Sequence, residues 1–177
     1  MSHLYSTSLP TSLLPEQLRL QFRDLDHLLR KLIASAEFRV TLLSPFWSRH
    51  GITAMADSLS VAAERGALIR LIVDAGIETE ALRDCLKVFT TYPNHPVVRR
   101  LRILRGTNLF TFIHAKVVLI DGKRGYLGSA NFTAGGLERN FELGLDLGET
   151  QSTALEQLCG VFETKGLLKD CTQEVLR

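Results

Sequence analysis

The segment Leu68 to Asp74, LIRLIVD, is near-continuously apolar over the length of one strand, and it follows a helix-like stretch, Thr53 to Arg65, that Gly66 ends. A run of this kind belongs to a strand covered on both faces, which is the habit of sheets flanked by helices. Around it the pattern alternates. Pro15 opens a helix-like stretch with Leu18, Phe22, Leu25, Leu29, Leu32 and Ile33 at three- and four-residue spacing, and Phe38 to Ser44 reads as a strand stopped by Pro45. A helix over about 78–89 and a strand over Val97 to Leu104 follow. Beyond these, strand succeeds strand (Phe110 to Ile120, Arg124 to Ser129, Phe141 to Leu147), before a last helix from about Ser152 to Lys165. Helices alternating with strands early and hairpins late predict an α/β fold, a mixed sheet with helices on both faces.

A chain of 177 residues with 45% hydrophobic content can bury roughly 70% of its unfolded surface in one core, so residues 15–177 are expected to form a single domain after a polar lead over 1–14. Collagen-like, disordered and coiled-coil classes are excluded by composition. The formal charge of +2 does not indicate a protein that binds polyanions by bulk charge alone. Cys85, Cys159 and Cys171 are odd in number and widely spaced, which fits free thiols and matches no zinc-ligand spacing. The N-terminal segment lacks a basic region before its apolar residues, and no stretch approaches the roughly 20 apolar residues that cross a bilayer. These features are read as a cytoplasmic protein with no membrane contact and no metal or other cofactor.

The chemistry concentrates in IHAKVVLIDGKRGYLGSANFTAGGLERNFEL, from Ile113 to Leu143. His114-x-Lys116 is followed by Asp121, then Gly128-Ser129-x-Asn131, and later Asn140-x-Glu142. On a strand, residues 114 and 116 project from one face. Asp121-Gly122 signals a hairpin. A two-residue turn at Gly122-Lys123 would pair Lys116 with Ser129 and His114 with Asn131, gathering a nucleophile, a cation, a hydroxyl and an amide into a cradle for a tetrahedral oxyanion. One more turn residue would break this register. Asp121 has the opposite parity and belongs to the turn or behind the reacting groups. Glu142 is placed to accept a hydrogen bond from one imidazole nitrogen of His114, leaving the other free to attack, and Asn140 shares its face. His3, His27, His50 and His95 have no comparable neighbours.

This arrangement resembles the HKD motif of the phospholipase D superfamily, and most of all its small bacterial members with a single motif. The resemblance implies metal-independent phosphodiester cleavage in an α/β/α sandwich. Its catalytic positions map onto His114, Lys116, Asp121, Asn131 and Glu142. His114 would form a phosphohistidine, Lys116 and Asn131 would bind phosphate oxygens with Ser129 assisting and Asn140 nearby, and Glu142 would orient His114. Because two motifs make one site in that family, a homodimer is implied.

Outside the motif, Trp47 follows the first strand, where it can stack on a nucleobase or plug the core. Asp74 closes an apolar strand and fits a turn or the site. Arg99, Arg100, Arg102 and Arg105, with Lys123, Arg124 and Arg139, would track a polyanionic backbone if they line the cleft, or else protect a solvated edge. The preferred reading is a nuclease with nucleic acid as partner. The alternatives are a phospholipid-processing enzyme of the same superfamily and a noncatalytic or conditionally active subunit of a bacterial DNA-modification or anti-phage defence complex.

Overall fold

A computed structural model of the chain describes residues 3–8, 14–92, 94–109 and 112–177. In chain order these form β1 (Leu4–Thr7), α1 (Glu16–Arg19), β2 (Phe22–Asp24), α2 (Leu25–Ala34), β3 (Arg39–Ser44), α3 (Arg49–Glu64), β4 (Leu68–Val73), α4 (Thr79–Cys85), α5 (Lys87–Thr90), α6 (Pro96–Arg100), β5 (Leu101–Gly106), β6 (Val117–Ile120), β7 (Arg124–Gly128), β8 (Glu142–Leu147), α7 (Glu149–Thr164), β9 (Leu168–Asp170) and α8 (Thr172–Leu176). One mixed sheet runs β2-β1-β8-β7-β6-β3-β4-β5-β9. Its parallel centre is β3-β4-β5, and β6, β7 and β8 add antiparallel neighbours. The expected α/β class with helices on both faces is what the structure has.

Alternate residues of each strand feed the two faces. Val40, Leu42, Ile69, Leu71, Val118 and Ile120 pack under α2 and α3 with Leu29, Ile33, Ile52, Met55 and Leu59. Leu43, Ile72, Leu104, Val117 and Leu119 meet α7 through Cys159, Leu155 and Phe162. The central apolar run carries one charge into the interior: Arg70 is buried, and its guanidinium reaches Thr41, Glu156 and Glu163 (3.0 Å to the last). Arg39 and Arg102 join the same two α7 carboxylates at 2.9 and 2.8 Å, so α7 is clamped to the sheet by charge as well as by apolar contact.

Several expectations need correction. The helix-like stretch from Pro15 to Ile33 is interrupted, because Phe22–Asp24 pair in parallel with β1 and the Asp24 carboxylate then caps α2 by accepting from the His27 backbone N–H. Leu4–Thr7, within the expected polar lead, is a strand between β2 and β8. Val97 to Arg100 are helical before β5 begins. Pro96 occupies the first turn, and His95 Nδ1 accepts from the Val97 N–H, so a capped helical start overrides the β-branched residues. The strand expected over Phe110 to Ile120 is confined to Val117–Ile120, and Phe110 and Thr111 lie outside the described residues.

Candidate active site

The β6–β7 connection contains three residues, Asp121, Gly122 and Lys123, since Ile120 pairs with Arg124 and Val117 with Leu127. Asp121 and Gly122 both take positive φ (55° and 68°). The register is therefore one residue away from the expected one, and the Lys116–Ser129 and His114–Asn131 cross-strand pairs do not form. The site is assembled instead beyond the strand ends, from irregular segments.

The extended segment that leads into β6 carries His114 and Lys116. Its anchor is the buried Asp74 at the end of β4, whose carboxylate accepts from the backbone N–H of Ile113 at 2.8 Å and of Gly76 at 2.9 Å. His114 is exposed while Lys116 is buried beside it. The Lys116 Nζ lies 3.0 Å from His114 Nε2 and donates to the His114 carbonyl at 2.8 Å. Burial pushes the Lys116 ammonium below the usual lysine range, against the opposing pull of Glu142.

Glu142, the first residue of β8, is buried. Its carboxylate accepts from the Ser129 hydroxyl and, at 3.3 Å, from Asn140 Nδ2. It is not bonded to His114, contrary to the expected orienting contact. With β7 ending at Gly128, Ser129 turns toward β8, where its backbone N–H donates to the Leu143 carbonyl and its Oγ accepts from the Leu143 N–H. Asn131 reaches the site from the other side: its Oδ1 lies 3.3 Å from the Ser44 hydroxyl at the end of β3. The Asn131 backbone packs on Gly136, part of a π-helical turn over Gly135–Arg139, at a distance that leaves no room for a Cβ. Glycine is needed at 128 and 144 for a related reason, since a side chain at either would run into the Tyr126 ring, which lies under the Glu142 end of the sheet.

His114, Lys116, Ser129, Asn131, Asn140 and Glu142 thus converge at one end of the sheet. Asp121 does not. It stands at the other end, where its carboxylate accepts from the backbone N–H groups of Glu37, Phe38 and Arg39 at 3.0, 2.9 and 2.7 Å. Burial alone would raise its pKa, but these three donors and Lys123 together hold it below the usual value. Its role is to tie the turn to the start of β3.

The basic residues are dispersed. Arg99 and Arg100 end α6 at the start of β5, and Lys123 closes the turn with Arg124 directly after it, all at the end of the sheet opposite His114. Arg102 is engaged by Glu163 and Asp170, and Arg105 by Glu174. Arg139, exposed and next to Asn140, stays beside the site. Trp47 is buried. Its Nε1 donates to the Ser44 carbonyl and its ring packs 4.8 Å from Phe132, so it props the Asn131 segment from beneath and offers no stacking face. Sequence reasoning missed Ser44 and Tyr126; a polar residue closing an apolar strand was the available signal for Ser44.

A family model described as the PLD-like domain of cardiolipin synthase matches residues 29–164. The chain belongs to the phospholipase D superfamily. This phospholipase D-like chain is also similar to Nuc, a phospholipase D family member from Salmonella typhimurium, at TM-score 0.65 and 16% identity over 96% of this chain and 98% of that one. NucT from Helicobacter pylori is similar at TM-score 0.62 and 21% identity, with the same coverage. Phosphatidylserine synthase from Haemophilus influenzae Rd KW20 gives TM-score 0.62 and 15% identity, covering 82% of this chain and 36% of that one. No curated protein sequence matches the chain. The superfamily is one of phosphodiesterases, and the matched residues include the segments from His114 to Glu142 described above. Among the described residues no helix is long and apolar enough to cross a membrane.

Proposed function

We propose that this phospholipase D-like chain is a metal-independent nuclease, acting on nucleic-acid phosphodiesters as a homodimer that shares one site. The observation that carries the reading is the His114–Lys116 pair, an exposed imidazole with a buried ammonium at its Nε2. A bound phosphate would draw the Lys116 ammonium onto a non-bridging oxygen and release the imidazole to attack phosphorus. Asn131 and Ser129 would bind the remaining oxygens, with Glu142 holding Ser129 and Asn140 in place. The P–O bond to the leaving nucleotide breaks as the new P–N bond forms, and the departing oxygen takes a proton from His114 of the partner subunit. That residue then removes a proton from water, which displaces His114 and releases the phosphate monoester.

The surface supports the dimer. The α7 face of the sheet is only partly covered: Leu127, Leu143, Leu145 and Leu4 remain exposed there, and α7 turns Leu158 and Val161 outward. A second copy across a two-fold axis can seat its α7 ridge on this apolar corner, and the corner borders Ser129 through Leu143. Nuc and NucT are covered to 98% of their length by this chain, so the matched unit is of the same size.

One observation favours a phospholipid substrate instead, an apolar cavity of about 290 Å³ between Leu43, Ile72, Leu155, Leu158 and the His114 segment. The deciding experiment incubates the protein with single- and double-stranded DNA, RNA and a phospholipid, with and without EDTA. Nucleic-acid cleavage that persists in EDTA and disappears in His114→Ala supports the proposal; cleavage of phospholipid alone, or EDTA-sensitive cleavage, overturns it.

A further inference from the structure

Two large aromatic rings stand exposed beside His114, and nothing in the catalytic steps uses them. Phe46 leaves the end of β3 and is 52% exposed; Phe112 opens the segment that carries His114 and is 46% exposed. Their ring centroids are 6.0 Å apart, and Phe112 lies 5.3 Å from the His114 ring at an interplanar angle of 30°. The three rings make a row that starts at the nucleophile. Phe46 follows the end of β3, and Phe112 also lines the mouth of the apolar cavity beside His114, with Leu155 and Leu158 of α7.

The backbone beneath the row is fastened while about half of each Phe side chain is open to solvent. The Ser44 hydroxyl donates to the Phe46 carbonyl at 2.9 Å, and the N–H of Ile113, next to Phe112, is held by the buried Asp74. Exposed phenyl rings on anchored backbone present π faces at little further ordering cost. A base attached to the sugar beside a phosphate at His114 is within reach of that row. We infer that Phe46 and Phe112 form a base-stacking platform, and that the substrate is single-stranded nucleic acid whose base next to the scissile phosphate lies on these rings. In a duplex both faces of that base are already stacked, and freeing one requires unpairing. Phenyl rings have no hydrogen-bonding group, so the platform accepts any base. The inference rests on the phosphodiester reading above and narrows its substrate.

The test measures binding to the His114→Ala protein, which holds the substrate uncut. Three fluorescent oligonucleotides of equal length are compared: single-stranded DNA, the same strand with abasic units around its centre, and the duplex. Normal single strand is expected to bind at least about fivefold more tightly than the abasic strand, and adding Phe46→Leu or Phe112→Leu is expected to reduce that ratio toward one. Leucine keeps both positions apolar, so loss of folding is not a competing explanation. A ratio of one in the parent, a ratio insensitive to both leucine variants, or preference for duplex overturns the platform. Leucine-sensitive binding to phosphatidylglycerol vesicles without oligonucleotide binding also overturns it, assigning the rings to a membrane. Wild-type cleavage without base dependence removes the platform and leaves the nuclease standing; base-dependent binding without cleavage does the reverse.

Discussion

The Lys116 ammonium and the His114 imidazole form a pair 3.0 Å apart in which the cation is buried and the imidazole exposed. A charged Lys116 can only donate, so it holds His114 Nε2 as an acceptor until an anion arrives to take its place. Because burial lowers the Lys116 pKa, the ammonium is lost at a pH below the ordinary lysine value of about 10.4. The alkaline limb of kcat/KM is expected to fall in that lowered range. In Lys116→Arg, whose guanidinium stays charged, the limb should vanish while the rate drops; an unchanged limb would separate Lys116 from catalysis.

Asp74 lies outside the group around His114 but sets the position of the segment that carries His114 and Lys116. Removing its carboxylate leaves the buried Ile113 N–H unsatisfied, at a cost of about 1–3 kcal/mol, and frees the approach to His114. Asp74→Ala is expected to lower kcat by on the order of 10- to 100-fold with a smaller change in KM. Asp74→Asn, which retains an acceptor, should recover much of the loss. A purely structural role would reduce thermal stability and leave kcat of the folded protein intact.

Asp121 should behave in the opposite way. Three backbone donors converge on it far from His114, so Asp121→Ala is expected to cost about 2–4 kcal/mol of stability in denaturant titration, with kcat of the folded protein unchanged. Its folded pKa lies below the unfolded one, so its contribution is fully present above the unfolded value of about 3.9 and is lost as pH falls through the folded value. The stability gap between wild type and variant should therefore close under acid conditions. A gap that widened there would contradict the assignment.

The uncovered corner on the α7 face makes a prediction about assembly. Leu145 is 41% exposed and not part of either core cluster, so Leu145→Asp should leave the fold intact. Buried in a dimer, the new charge would be unpaired and the subunits should separate. Sedimentation is expected to give one-chain mass together with loss of cleavage. An active monomer would refute the shared site.

Legibility in the sequence followed locality. LIRLIVD was readable as a buried strand because its run of apolar residues satisfies both faces, and β3, β7, β8 and α7 lie within a few residues of their expected bounds. The motif residues were readable as a group because their spacing is itself the signal. Three features were hidden. β1 and β2 are too short to carry a periodicity, and they exist because β8 supplies a ladder to β1 and β1 supplies one to β2. The turn length at Asp121 depends on which residues take positive φ, and a one-residue difference moved Ser129 from Lys116 to Glu142. The arginines looked like a patch because they are adjacent in the chain, whereas the structure leaves Arg99 and Arg100 at the end of the sheet opposite His114 and engages Arg102 and Arg105, along β5, in ion pairs.

By itself, then, the sequence determined the class of fold, the burial of its central apolar strand and which polar side chains stand close together in the chain around His114, since hydrophobic periodicity and residue spacing are properties of neighbouring residues. Only the tertiary structure decided what those groups touch. Arg70 sits in the apolar run with no local partner, and its buried charge is compensated by Glu156 and Glu163 from a helix more than eighty residues away. The His114 segment is likewise held by Asp74, thirty-nine residues earlier in the chain. Contacts over such separations depend on how strands are ordered and registered, which no local pattern encodes.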